Sequence, residues 1–161
     1  MVVALREVRC VRKECFCDPA NGLRTLPKLE MNWDEYALSI AQTVSQKSKD
    51  RWRKVGACIL RRDNSVAGVG YNGFPAGMPE DWSDRDKRRL FVVHAEQNAL
   101  RYLRPGEGVL AAVTTLPCND CLKALKSYGI ERIVYKESYD YDNSTLKLAK
   151  LFGIKLKKIT L

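Results

Sequence analysis

The sequence predicts an α/β fold, a single three-layer α/β/α sandwich in which helices flank a five-stranded mixed sheet. Three observations predict it. At 161 residues the chain suits one compact domain with a proper core and is short for two. Hydrophobic residues make up 45% and charged residues 29%, ordinary for a globular domain. Helix-period and strand-type segments alternate in the order α-β-β-α-β-α-β-α-β, and interleaved elements of this kind cover one central sheet on both faces. No internal repeat or low-complexity tract interrupts the alternation.

Taken in order, residues 1–30 carry no clear period and hold the turn cluster Asp18-Pro19-Ala20-Asn21-Gly22, so they are expected to be an N-terminal extension, with the domain proper at 31–161. Asn32 can cap a first helix, with Glu35 three residues on as in a capping box. Tyr36, Ala37, Ile40, Ala41 and Val44 give that helix one apolar face. Val55 to Leu60 and Ser65 to Tyr71 are β-type runs joined by Arg62-Asp63-Asn64, a hairpin connection. Gly68 and Gly70 in the second run predict a bulge or a close backbone approach. Residues 72–90, rich in Gly, Pro and charge, read as a loop. Helix signals resume at Ala95 to Leu103 and stop at Pro105-Gly106. Val109 to Thr115 reads as a buried strand, Asn119 to Tyr128 as a helix ended by Gly129, and Arg132 to Tyr135 as a strand. Ser144 to Phe152 is helical up to Gly153, and Ile154 to Ile159 alternates as a last strand.

No apolar run approaches the ~20 residues that span a bilayer, and Met1 to Leu5 is too short for the apolar part of a signal peptide. A cytosolic or nuclear setting is the default, cytoplasmic is the expectation, and no membrane partner is expected. In such a compartment thiols stay reduced, and C-x-x-C spacing points to metal rather than to a disulfide. The net charge of +9 points to a polyanionic partner, a phosphorylated small molecule or a nucleic acid. It is concentrated at 47–62, where Lys47, Lys49, Arg51, Arg53, Lys54, Arg61 and Arg62 face one acid, Asp50. Charge alone does not separate these partners, and a plain solvated surface is the bland alternative.

The chemistry is carried by His94-Ala95-Glu96 and Pro117-Cys118-Asn119-Asp120-Cys121. The imidazole of His94, the only histidine, and the thiols of Cys118 and Cys121 supply three zinc ligands, which leaves a fourth position for water as catalytic zinc sites do. Both motifs fall at strand-to-helix junctions, where a helix N-terminus favours thiolate. Cys118 and Cys121, three apart, face one ion from a single turn. Glu96 shares the first turn with His94 and is placed to carry protons. This H-x-E…P-C-x-x-C pattern is the signature of zinc-dependent nucleobase deaminases. The competing structural reading is a closed zinc knot completed by a residue such as Cys15, with Glu96 on the surface.

From about Trp33 onward the chain resembles the deoxycytidylate (dCMP) deaminase family of the zinc-dependent cytidine deaminase superfamily. The resemblance rests on Ser48-Lys49-Asp50, Val55-Gly56-Ala57-Cys58, Gly70-Tyr71-Asn72-Gly73-Phe74-Pro75 with Gly77, His94-Ala95-Glu96-Gln97-Asn98-Ala99, and the Pro117–Cys121 motif. The glycine-rich run is the most specific part, being similar to that of nucleotide-level enzymes rather than nucleoside or tRNA ones. The resemblance implies a cytidine deaminase-like fold and conversion of dCMP to dUMP and ammonia, with Glu96 as proton shuttle. It implies that Asn72 meets the sugar 3′-hydroxyl and that backbone around Ala95 and Cys118 holds the cytosine edge. It also implies a homo-oligomer, trimer or hexamer, activated by dCTP with Mg²⁺ and inhibited by dTTP. The resemblance places Gly70, Tyr71, Gly73, Pro75 and Gly77 at that effector site.

Two departures bear on the phosphate. The loop Lys136 to Asp142 resembles the family's phosphate-side loop, with Tyr139 in it, but carries Tyr141 and Asp142 where a basic residue is expected. Arg101 and Arg104 are the candidates to supply the charge instead, with Lys49 and Arg51 behind them. The segment from Asp81-Trp82 to Lys87-Arg88-Arg89 is similar to a subgroup of vertebrate deaminase-domain proteins acting on dCTP, so a triphosphate substrate is the alternative. Two further alternatives stand. One is action on a base in tRNA or single-stranded DNA, to which the charge and Trp52 or Trp82 would be suited. The other is a non-catalytic zinc module that senses nucleotides. Cys10, Cys15 and Cys17 are free thiols or, with Cys58 or an acid, ligands of a second zinc.

Overall fold

The computed structural model describes residues 31–138 and 143–160. The expectations for the 1–30 extension, for Cys10, Cys15 and Cys17, and for Tyr139, Tyr141 and Asp142 lie outside the described residues. The domain opens with helix α1, Trp33–Ser45, whose capping box forms as expected. The Asn32 side chain accepts from the Glu35 N–H at 3.0 Å, and the Glu35 carboxylate accepts from the Asn32 N–H at 3.1 Å.

Five strands follow: β1 Gly56–Leu60, β2 Val66–Tyr71, β3 Leu110–Thr115, β4 Arg132–Glu137 and β5 Lys155–Lys158. They form one sheet in the order β2-β1-β3-β4-β5. β1 runs antiparallel to β2 and β3, whereas β3, β4 and β5 are parallel. The expected five-stranded mixed sheet is therefore present. At the β1–β2 turn Asn64 adopts φ 66, and the Asp63 side chain accepts from the Ser65 N–H at 3.0 Å.

Strand alternation sorts the core onto two faces. Cys58, Leu60, Leu110, Ala112 and Val134 meet Ala37, Leu38 and Ala41 of α1 on one face. On the other, Ala57, Ile59, Ala111, Val113 and Ile133 meet residues from α3 (Ala95–Leu100), α4 (Asn119–Ser127) and α5 (Ser144–Leu151). Full burial of a side chain such as Leu38 contributes about 1.5–3 kcal/mol. Asp34 ties α1 to the parallel half of the sheet through Arg132 and Lys157, both at 2.9 Å.

Two corrections concern the middle of the chain. The segment 72–90, expected to be a loop, contains helix α2, Arg85–Phe91. It has no apolar period to announce it. The Asp84 side chain accepts from the Asp86 N–H at 2.8 Å, and the Arg88 N–H bonds to the Asp84 carbonyl at 3.1 Å. Helix α3 also ends earlier than Leu103, the chain turning at Arg101.

Gly68 and Gly70 serve close approach. A Cβ on Gly70 would lie 2.4 Å from both the Ala95 carbonyl oxygen and the Ala99 nitrogen, and one on Gly68 2.4 Å from the Ala99 carbonyl oxygen. The register irregularity falls between Ile59 and Leu60 on the partner strand. Helix α3 thus lies directly on β2, and that contact sets the position of its N-terminal end.

Candidate active site

Two helix N-termini converge at the carboxyl ends of β3 and the segment before α3. His94 is the N-cap of α3, and Cys118 the N-cap of α4. Each is held in place. The His94 N–H donates to the Gln97 side chain at 3.4 Å, and just upstream Val93 and Gly73 exchange backbone hydrogen bonds of 2.9 and 3.2 Å. Helix α4 is tied to α5 by its first residue, Asn119, whose side chain bonds Ser144 at 2.8 Å and Thr145 at 2.9 Å.

The ligand atoms of His94, Cys118 and Cys121 lie within 4.8 Å of one another. His94 Nδ1 is 3.2 Å from Cys121 Sγ and 3.6 Å from Cys118 Sγ. Zinc with ordinary bond lengths and tetrahedral angles separates such N and S ligands by about 3.6 Å. The residues present therefore fit zinc in number, chemistry and spacing, with Cys121 buried and His94 exposed on the open side. Among the described residues this is the one such group, and the closed knot has no fourth ligand there. Cys58 lies in the core, its thiol pushed up to about 12 by burial, and is not among the grouped ligand atoms.

The electrostatics suit metal binding. Cys118 is pulled down to about 4, first by its hydrogen bond with Cys121 and further by His94. That same bond, together with burial, pushes Cys121 up. The bond with Cys118 raises His94 against the opposing effect of its burial. Glu96, 4% exposed, has its carboxyl raised by burial, which outweighs the pull of its backbone hydrogen bond and of His94. A buried carboxyl of raised pKa beside a metal site is suited to pass protons.

A cavity of about 560 Å³ opens from this centre. Its walls form two groups. One is His94, Ala95, Glu96, Thr115, Leu116 and Cys118, with Val55 and Asn72 adjoining. The other is Asp50, Trp52, Arg53, Arg85, Arg88, Arg89 and Val92. Asn72 joins them: its Nδ2 donates to Asp50 Oδ2 and to the Arg53 carbonyl, each at 3.0 Å, and its Oδ1 accepts from the Val55 N–H at 2.8 Å.

Of the residues expected from sequence, His94, Ala95, Glu96, Cys118 and Asn72 line this cavity, and Cys121 backs it. Lys49, Arg101 and Arg104 do not line it. Lys49 is exposed and pairs with Glu80 at 3.0 Å, and Arg101 lies over the Tyr102 ring at 5.3 Å. The cavity's basic side chains are Arg53, Arg85, Arg88 and Arg89, which sequence reasoning did not assign to the site. The signal was present as the basic run around Asp50 and the Lys87-Arg88-Arg89 triplet, but nothing local shows that these segments meet. Gly70, Tyr71, Gly73, Pro75 and Gly77 lie outside the lining. Tyr71 is exposed, and Gly77 turns the chain at φ 85.

Comparison with known proteins agrees with this geometry. Residues 31–137 match the family model described as the cytidine and deoxycytidylate deaminase zinc-binding region. The mouse deoxycytidylate deaminase is 32% identical over 144 residues, covering 81% of this chain and 81% of its own. The deoxycytidylate deaminase of Mycobacterium phage D29 is 39% identical over 126 residues, covering 66% of this chain and 97% of its own. The crystal structure of a cyanophage S-TIM5 dCMP deaminase in complex with dCMP and dUMP superposes with TM-score 0.69 at 27% identity, over 78% of this chain and 95% of that one. The family match runs from α1 through β4 and includes both ligand-bearing helices, and on that ground the chain belongs to the deoxycytidylate deaminase family of zinc-dependent cytidine deaminases.

Proposed function

We propose that this protein hydrolyses dCMP to dUMP and ammonia. The observation that carries the proposal is the Glu96 carboxyl, buried between the His94/Cys118/Cys121 group and a cavity that also holds Asn72 and four arginines. Relatives named deoxycytidylate deaminase, and the phage structure with dCMP and dUMP, support a nucleotide as substrate.

His94, Cys118 and Cys121 would hold the zinc, which when bound would lower the pKa of its water toward neutrality. Glu96 accepts the proton that the attacking water gives up and passes it to N3 of the cytosine ring. Once the C4–O bond has formed, Glu96 takes the second proton, from the hydroxyl on C4, and delivers it to the amine as the C4–N bond breaks, so that dCMP and water leave as dUMP and ammonia. Backbone around Ala95 and Cys118 orients the base. Both Nδ2 hydrogens of Asn72 are already committed, so the sugar 3′-hydroxyl donates to the remaining lone pair of Asn72 Oδ1.

Regulation belongs to the same proposal. The Gly70–Gly77 segment is the effector site, for dCTP with Mg²⁺ or for dTTP. The Gly73–Val93 bridge, one residue from His94, supports it as a route by which an occupied loop shifts the zinc ligands. Exposed Val66, Val69 and Tyr71 on the edge strand β2 support assembly into a trimer or hexamer.

Ammonia release from equal concentrations of dCMP and dCTP, with Glu96→Ala protein as the blank, tests the substrate. Faster turnover of dCMP is expected. Faster turnover of dCTP, or release unchanged in the blank, overturns the proposal.

A further inference from the structure

We propose that Arg88 is the cation that receives the substrate's 5′-phosphate, with Asp50 as the residue that positions it. This rests on the reading above that the substrate is a nucleotide.

Arg88 projects from α2 into the cavity wall with its side chain 12% exposed. Its Nη1 pairs with Asp50 Oδ2, and its guanidinium carbon lies 5.0 Å above the centre of the Trp52 ring. These two contacts fix the plane of the guanidinium without using all of its donors. Its Nε is buried and has no hydrogen-bond partner. Among the described residues the other buried side-chain atom in that state is Asp34 Oδ1, which has Arg132 beside it at 2.9 Å. An N–H withheld from water and from any acceptor is costly, and a cavity-lining guanidinium whose plane is fixed while donors stay uncommitted is suited to an arriving anionic oxygen.

The chemistry of the wall selects phosphate. Arg53, Arg85 and Arg89 line the same cavity, and Asp50, which lines it too, is fully committed. Asp50 Oδ1 accepts from the Trp52 and Arg53 N–H groups at 2.8 and 3.1 Å, and Oδ2 from Asn72 Nδ2 at 3.0 Å and from Arg88. A guanidinium fork in a rigid plane matches phosphate oxygens better than it matches a base edge or a sugar hydroxyl.

Asp50 thereby sets a spacing. One buried carboxylate, 1% exposed, holds both Asn72, which meets the sugar, and Arg88. The distance between the sugar site and the phosphate site is built into that single group. Asp50 touches no substrate and acts through its two neighbours.

The test compares zinc-loaded full-length wild type with Arg88→Gln, Arg88→Lys and Asp50→Asn. kcat/KM is measured for dCMP and for deoxycytidine, and dUMP and deoxyuridine binding by calorimetry. The wild type is expected to prefer the phosphorylated ligand in both measurements. Arg88→Gln should reduce that preference about 100-fold, chiefly through KM. Arg88→Lys keeps a charge opposite Asp50 but lacks the planar fork and should reduce it about tenfold. Asp50→Asn should raise KM for dCMP more than for deoxycytidine. A wild type without preference, or variants that lose both ligands equally at unchanged zinc content, overturns the assignment. If Arg88→Gln does not fold, Arg88→Lys decides by the same ratio. If the wild type deaminates neither compound, the proposed reaction fails, and the dUMP-to-deoxyuridine binding ratio alone decides the role of Arg88.

Discussion

The two ends of the cavity are built in opposite ways. At the zinc end every chemically active group comes from two short motifs, each opening a helix, and the His94 and Cys118 N-caps carry their side chains to one point. At the arginine end the groups come from the 50–53 segment and from α2, more than thirty residues apart, and meet through one carboxylate, Asp50. The difference teaches where short-range spacing is enough to define a site and where only packing defines it. Helix geometry turns an i, i+3 spacing into a fixed distance, whereas no such rule links Asp50 to Arg88.

The largest expected effect lies at the zinc end and separates its two jobs. Glu96→Ala should lower turnover by about 10²–10⁴-fold while leaving zinc bound, whereas Cys118→Ala should lose both zinc and turnover. Metal analysis of purified protein beside the ammonia assay reads this directly. Zinc lost from Glu96→Ala, or one zinc per chain retained by Cys118→Ala, would break the separation.

A middle-sized effect sharpens the claim that packing aims the zinc end. Gly70→Ala places a methyl 2.4 Å from the backbone of Ala95 and Ala99, which α3 relieves only by moving. The expected outcome is about 1–3 kcal/mol of lost stability, as for overpacking, with weakened zinc retention because His94 and Glu96 travel with the helix. Thermal melting and competition with a chelator measure the two parts. Full stability with full zinc retention would show that β2 does not set the position of α3.

The smallest effect is expected where sequence reasoning and the cavity differ. Arg101→Ala and Arg104→Ala should each change kcat/KM for dCMP by less than about threefold, since neither lines the cavity and exposed charges act weakly through solvent. A tenfold rise in KM in either variant would return the phosphate to that side of the molecule.

Much of the fold was legible because its signals are local. The Asn32–Glu35 box, the alternating strand runs and the helix-ending Gly129 and Gly153, both at positive φ, mark their elements within a few residues. Helix α2 was not legible. Its sequence, Arg-Asp-Lys-Arg-Arg-Leu-Phe, has no apolar period, and the helix is anchored by tertiary contacts. Arg88 reaches Asp50, and Phe91 stacks on Phe74 with ring centres 6.4 Å apart. The cavity's arginines escaped the sequence for the same reason, since three of the four, Arg85, Arg88 and Arg89, come from α2.

By itself the sequence determined the α/β class, the family, and the grouping of His94, Cys118 and Cys121 with Glu96 close by, because these depend on residue type and on spacings that one helical turn converts into geometry. Only the tertiary structure decided that β2 lies against α3 through two glycines, that Asn72 is committed to Asp50, Arg53 and Val55, and which arginines face the cavity. Those facts depend on pairs of residues distant in the chain. Their meeting is set by how the sheet and helices bury their apolar faces, and no local pattern records it.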